Sequence, residues 1–146
     1  MVLQNVILVQ KCVVYDKNTN KILIIKRSDY KPDSAGLWDF PGGCYKYTDD
    51  SKEALRRECK EEVNIKLNNF STIDYYVRTT FDNKGTIIFI LNYCDDYDII
   101  NEEIKLSNEH VEFKWISFDM INEYKYMIAV ENLRTTIEPF ILQFNK

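Results

Sequence analysis

Three carboxylates set just behind a glycine pair constrain this chain more than any other feature. Pro41-Gly42-Gly43 is followed, across a polar connection, by Arg57-Glu58-Cys59-Lys60-Glu61-Glu62. Glu58 and Glu62 stand i,i+4 and Glu58 and Glu61 i,i+3, so a helix through them puts all three charges on one face. Like charges at these spacings each cost about 0.2–0.5 kcal/mol on an exposed helix, a penalty that coordination of a divalent ion more than reverses. A solvated acidic face is the usual fate of such a run. Glycines in front of it, which let backbone approach an ion or a phosphate closely, argue for a metal site instead.

The rest of the chain bounds the setting. At 146 residues it is long enough for one domain with a real core and too short for two, so residues 1–146 are expected to form a single domain. A composition 45% hydrophobic and 29% charged is that of a globular chain rather than a disordered one. The formal net charge of -4 argues against an extended nucleic-acid surface or binding to anionic membrane. Cys12, Cys44, Cys59 and Cys94 form no C-x-x-C pair and have no zinc-ligand spacing to His110, so buried free thiols in a reducing compartment are expected. Met1 to Asn5 has no signal-peptide pattern, and no apolar run reaches the length of a membrane span, which points to a cytoplasmic location. Monomer and homodimer are both open.

Val6 to Tyr15 and Lys21 to Lys26 read as antiparallel strands around a turn at Asp16 to Asn20. Ser28 to Gly36 is a loop, and Leu37 to Phe40 is a short extended segment. Asp50-Ser51-Lys52-Glu53 matches a capping box, with Asp50 as N-cap and Glu53 reaching back to it. Leu55, Cys59 and Val63, beside Ala54, give the helix an apolar stripe, and Asn64 suits a left-handed end. Ile73 to Tyr93 reads as a hairpin about Asp82-Asn83-Lys84-Gly85, with positive φ expected near Gly85. Asp95 to Glu103 reads as an exposed loop, Val111 to Ile116 as a last strand with Ser117 capping a short turn. Met127 to Phe144 reads as a terminal helix, apolar at Ile128, Leu133, Ile137, Phe140, Ile141 and Phe144, with Pro139 near its end.

The spacing Gly43-x5-Asp49-x7-Arg57-Glu58-Cys59-x-Glu61-Glu62-x-Asn64-Ile65 resembles the Nudix box, G-x5-E-x7-R-E-U-x-E-E-x-G-U with U apolar. Asp49 stands where the pattern has its first Glu, and Asn64 where it has its later Gly. Trp38-Asp39-Phe40-Pro41-Gly42-Gly43 is similar to the aromatic-x-x-Pro-Gly-Gly lead-in of that family, and Glu109-His110-x4-Trp115 is similar to the segment ahead of its last strand. The resemblance to the Nudix hydrolases, MutT-like in size, covers most of the chain. It implies an α/β fold of the Nudix type, an α/β/α sandwich with a mixed β-sheet.

The resemblance also implies roles. Glu58, Glu61 and Glu62 would bind Mg²⁺ or Mn²⁺, with a backbone carbonyl of Gly42 or Gly43 completing the shell and Arg57 orienting the carboxylates. The reaction would be hydrolysis of a pyrophosphate bond in a nucleoside diphosphate linked to another group. The first expectation is a (d)NTP pyrophosphohydrolase, including action on oxidised nucleotides. ADP-ribose, nucleotide sugars, dinucleoside polyphosphates and RNA 5′ ends are alternatives, and a nucleotide-sensing module without turnover is an alternative of another class. Asp49 is either a supporting or orienting carboxylate or a loop residue. Glu109 and Glu112 are either a further ligand or base or solvent-facing charges. Arg27 and Arg78 are candidate phosphate contacts along with Gly42, and Lys26, Lys31 and Lys46 compete with the two arginines. His110 is expected to be structural or exposed. Trp38, Trp115, Tyr75, Tyr76, Tyr93 and Tyr97 are expected to pack rather than stack on a base.

Overall fold

In the computed structural model, residues 5–47, 49–80 and 82–143 are described. Seven strands, Asn5–Asp16 (β1), Lys21–Arg27 (β2), Trp38–Asp39 (β3), Gly42–Cys44 (β4), Ile65–Thr79 (β5), Gly85–Ile99 (β6) and His110–Ile116 (β7), accompany two α-helices, Ser51–Val63 (α1) and Ile128–Leu142 (α2). The main path of the sheet runs β3-β2-β1-β6-β5, with β4 added to β1 and β7 to β2. Among the strands of the described residues β1 and β6 pair parallel and the other strand pairings are antiparallel, so the sheet is mixed.

β1 is shared. One edge of it lies along β6, while the other is split, Val9 to Lys11 pairing with β4 and Tyr15 and Asp16 with β2. Its side chains alternate between two cores, as the period of a strand requires. Val13 and Tyr15 pack with Val130 and Ile137 of α2, and Cys12 and Val14 pack with Leu55, Cys59 and Val63 of α1. The two helices therefore cover opposite faces, the expected α/β/α layering.

α1 starts and stops where local chemistry dictates. The Asp50 carboxylate accepts from the amides of Lys52 and Glu53. The expected reciprocal contact from Glu53 is replaced by an ion pair with Arg56 one turn on. Asn64 ends the helix at φ 62°, and its side-chain amide donates to the carbonyls of Ile100 and Glu103.

Three local expectations are corrected. Positive φ in the 82–85 connection falls on Asn83, not Gly85; Gly85 is small because a Cβ there would stand 2.7 Å from the Asn5 carbonyl oxygen. Asp95 to Ile99 is strand rather than loop, with Asp96 and Asp98 accepting from the side-chain amides of Asn68 and Asn69 on β5. Ser117 precedes a 3₁₀ turn, Phe118–Glu123, but its hydroxyl bonds the Asp119 carboxylate instead of capping the backbone. Cys12, Cys59 and Cys94 are buried free thiols, whereas Cys44 is exposed. Of the expected packing aromatics, Trp38 and Tyr93 are buried and Tyr75 is exposed. The expectations on Met1 to Gln4, on Phe144 and on the side chains of Ile128, Leu133 and Ile141 lie outside the described residues. Among the described residues no helix is long and apolar enough to cross a membrane.

Candidate metal and phosphate site

The glycine pair is where α1 meets the sheet. Gly42 sits at φ +143° against β1, where a Cβ would fall 1.9 Å from the Gln10 carbonyl oxygen, a placement open to glycine alone. Its amide donates to Glu62 Oε2 at 3.0 Å. At Gly43 a Cβ would lie 2.6 Å from Glu58 Oε2, so the missing side chain is the space that this carboxylate fills. The two glycines seat two carboxylates of the helix against β4.

Arg57 braces this arrangement. Its guanidinium pairs with Asp49, with Glu58 Oε1 at 3.1 Å and, more loosely, with Glu61 Oε1 at 3.9 Å. The hydrogen bond from Arg57 holds the Asp49 carboxyl below its ordinary range, and the bonds to Asp49 and Glu58 raise the guanidinium. Asp49 thus meets Arg57 rather than solvent, its own loop tied back by the Lys46 amide. Glu61 remains mostly in solvent, with 61% of its side chain exposed. The three glutamates share one helix side as expected but span the range from buried to open.

Beneath Glu62 lies a charge cluster that sequence reasoning missed. Lys11 Nζ bonds Asp39 Oδ2 at 2.8 Å, and Arg27 approaches the same oxygen at 3.7 Å. Lys11, Asp39 and Glu62 are all buried. Burial lowers the Lys11 ammonium, yet Asp39 and then Glu62 outweigh it and the net shift is upward. Glu62 moves the other way: burial, opposed by Lys11 and the Gly42 amide, pushes its carboxyl up to about 8. The signal was available, since Lys11 is a lone charge inside an apolar strand, and a buried charge requires a partner. Arg27, expected to contact phosphate, is turned toward Asp39 and Ser34.

A second segment closes on Glu62 from the far side. The Ser107 amide donates to the Glu62 carbonyl, the His110 amide to the Ser107 carbonyl, and the Ser28 amide to the Glu109 carbonyl. β2 and β7 slip register here, Lys26 facing Glu112 and Arg27 facing His110, the kind of bulge that re-aims side chains beside functional sites. It turns His110 inward. Ligand atoms of Glu62, Glu109 and His110 lie within 4.8 Å of one another. Burial lowers the His110 imidazole to about 4. Glu112 instead joins Lys26 at 4.0 Å and Lys114 at 3.8 Å on the surface.

Arg78 stands apart from this constellation. It pairs in register with Ile87 of β6, itself beside Ile7 of β1, about three strands and three residues from Gly43, on the order of 17 Å at ordinary sheet spacings. Its Nε donates to the Thr79 carbonyl.

The donors present fit a divalent cation. Carboxylate oxygens of Glu58 and Glu62 stand at a glycine-lined wall, and a buried carboxyl held near neutral by desolvation is a group that a cation would ionise. Glu61 and Glu109 add exposed carboxylates at the rim.

Known proteins resemble this chain in sequence and in fold. The nucleoside triphosphatase NudI of Escherichia coli O139:H28 is 26% identical over 120 residues, covering 77% of this chain and 84% of its own. The mRNA-decapping enzyme subunit 2 of Saccharomyces cerevisiae is 23% identical over 81% of this chain, which spans only 11% of that protein's length. Among solved structures, the MutT protein of Methanosarcina mazei Go1 superposes with a TM-score of 0.77 at 23% identity, covering 100% of both chains. The NUDIX domain family model matches residues 8–137, and with the glycine-seated carboxylates of α1 in place, this chain belongs to the NUDIX domain family.

Proposed function

We propose that the chain is a single Nudix hydrolase domain over residues 1–146 that cleaves a pyrophosphate bond in a small nucleotide, with (d)NTPs, oxidised ones included, as first substrates. The observation that carries this reading is the glycine-seated pair, Glu58 braced by Arg57 and Glu62 held by the Gly42 amide. Glu58, Glu61 and Glu62 would hold Mg²⁺ or Mn²⁺, with the Gly43 carbonyl beside them. Such an ion, when bound, neutralises phosphate charge and makes its bound water a better nucleophile.

The chain's own residues set the geometry. Gly42 and Gly43 let backbone approach the phosphates without a side chain in the way. Arg57 holds Glu58 in one rotamer while Asp49 fixes Arg57. Lys11, bonded to Asp39 and with Arg27 near the same carboxylate, offsets part of the negative charge of Glu62 from behind. Water attacks one phosphorus, its oxygen forms the new P–O bond, and the bridging P–O–P bond breaks to give two phosphorylated products. NudI, a nucleoside triphosphatase, supports the substrate class by similarity, and a cytoplasmic nucleotide pool suits it.

The test is a panel of nucleotides incubated with Mg²⁺ and with Mn²⁺, products resolved by chromatography. Nucleoside monophosphate and pyrophosphate are expected from a (d)NTP. ADP-ribose, nucleotide sugars, dinucleoside polyphosphates and capped RNA belong in the panel, because a preference for one of them replaces the substrate class while keeping the bond type. Tight nucleotide binding without any phosphorylated product overturns catalysis in favour of a sensing module. Glu62→Gln and Glu58→Gln are expected to leave the fold intact and lower kcat by about 10² or more; wild-type turnover in both removes the metal assignment.

A further inference from the structure

His110 is the feature that the carboxylate reading leaves unexplained. It is 5% exposed, and neither ring nitrogen has a hydrogen-bond partner among the described residues. A buried imidazole normally satisfies at least one of its two nitrogens. Two orphaned nitrogens in one ring amount to a desolvation cost of about 1–3 kcal/mol for each group left unpaired, so the fold retains the ring at a loss unless something else binds it.

What stands near the ring is acidic. Carboxylate oxygens of Glu62 and Glu109 lie within 4.8 Å of a ring nitrogen and of each other. Donor atoms sharing one first-row dication at about 2.0–2.2 Å sit roughly 3–4.4 Å apart, so small side-chain rotations bring the three into one shell. Glu109 is exposed and free to make that rotation, whereas Glu62 and His110 are fixed by burial. The backbone is already set. The Ser107 amide on the Glu62 carbonyl and the Ser28 amide on the Glu109 carbonyl hold the two segments at a constant separation, and the β2–β7 register slip aims His110 between them.

We propose that Glu62, Glu109 and His110 form a mixed nitrogen–oxygen cation site that selects a first-row transition dication such as Mn²⁺ over Mg²⁺. The inference extends the preceding reading, from which it takes Glu62 as a ligand that joins this site to Glu58 on the same helix. Magnesium favours all-oxygen shells and keeps several waters, while a first-row transition dication accepts an imidazole nitrogen beside carboxylates, Mn²⁺ more weakly than the dications after it, so Mn²⁺ is the most demanding probe of the site. A cation here would satisfy one orphaned nitrogen of His110 and draw the exposed Glu109 carboxylate into one shell with Glu62. It would also give the domain a metal preference that the box glutamates, offering oxygen alone, do not supply.

The experiment is electron paramagnetic resonance on the tag-free full chain titrated with Mn²⁺. The sequence holds one histidine, so an imidazole nitrogen coupling on bound Mn²⁺ has a single assignment, and ¹⁵N-histidine labelling shifts it. Wild type is expected to bind Mn²⁺ with that coupling. His110→Gln is expected to lose it and to weaken Mn²⁺ binding about tenfold or more, with Mg²⁺ affinity changed less than about twofold. Glu109→Gln, at an exposed position that does not threaten folding, weakens Mn²⁺ binding with the coupling retained. Bound Mn²⁺ without nitrogen coupling in wild type overturns the proposal and needs no variant to do so. Hydrolysis is scored separately: turnover with Mg²⁺ and no coupling sinks this site alone, and coupling without turnover on any nucleotide sinks the hydrolase reading alone.

Discussion

Glu62 and His110 are neighbours in space whose protons pull stability in opposite directions. In the metal-free protein the Glu62 carboxyl is raised to about 8 by burial, so between its unfolded value and that point the folded state holds a proton that the unfolded state has lost. Stability from this group is complete below about 4.5 and drains away as pH rises through 8. His110 is lowered to about 4 by burial, so it adds stability as pH climbs from 4 to about 6.5. The two offset below 6.5, and above it Glu62 acts alone. From pH 6.5 to 8, unfolding free energy measured by urea titration with a chelator present is expected to fall by about 2 kcal/mol. Glu62→Gln is expected to flatten that slope, and an unchanged slope in the variant excludes Glu62 as its source. Arg57→Lys keeps the charge but loses the fork that reaches Asp49 and Glu58 together; kcat is expected to drop at least about tenfold with KM little changed.

The box depends on how three elements end. Gly42 lets β4 lie against β1 and hands its amide to α1, so Gly42→Ala forces backbone apart at Gln10. A loss of about 3 kcal/mol or more is expected in chemical denaturation, with cation binding weakened along with it. Asn64 shows the opposite case. Glycine suits the left-handed helix end, yet Asn64 also ties α1 to the carbonyls of Ile100 and Glu103. Asn64→Gly is therefore expected to destabilise by about 1 kcal/mol, because two hydrogen bonds are lost and only a small backbone penalty is relieved; a gain in stability would show those bonds to be idle.

At the scale of the whole molecule, the site joins parts of the chain that only the sheet brings together. Lys11 comes from β1, Asp39 from β3, Glu62 from α1 and His110 from β7. A cation binding among them should stabilise the domain as a unit, by about 2.7 kcal/mol at a hundredfold excess over its dissociation constant. The melting temperature is expected to rise by several degrees with Mn²⁺ and to return on adding chelator. The rise should be larger at pH 8 than at pH 6.5, where the proton on Glu62 competes with the cation. An equal rise at both values would place the bound ion away from Glu62.

The line between sequence and tertiary structure runs through these same residues. Local order was legible. Asp50 and Asn64 bound α1, the Leu55-Cys59-Val63 stripe gave its buried side, and the spacing from Gly43 to Glu62 marked the candidate site, because caps, periodicity and glycine geometry act over a few residues. What the sequence could not assign was which carboxylate is buried, since Glu58, Glu61 and Glu62 are equivalent along a helix and differ only in what the sheet sets against each. It offered Arg27 as a phosphate contact without showing that its guanidinium lies 3.7 Å from Asp39 and bonds Ser34, and it took His110 as structural or exposed without showing that a one-residue register slip in β7 turns it inward. Burial, and with it the charge state of Glu62 and His110, arises from contacts between residues tens of positions apart, and those only the folded chain decides.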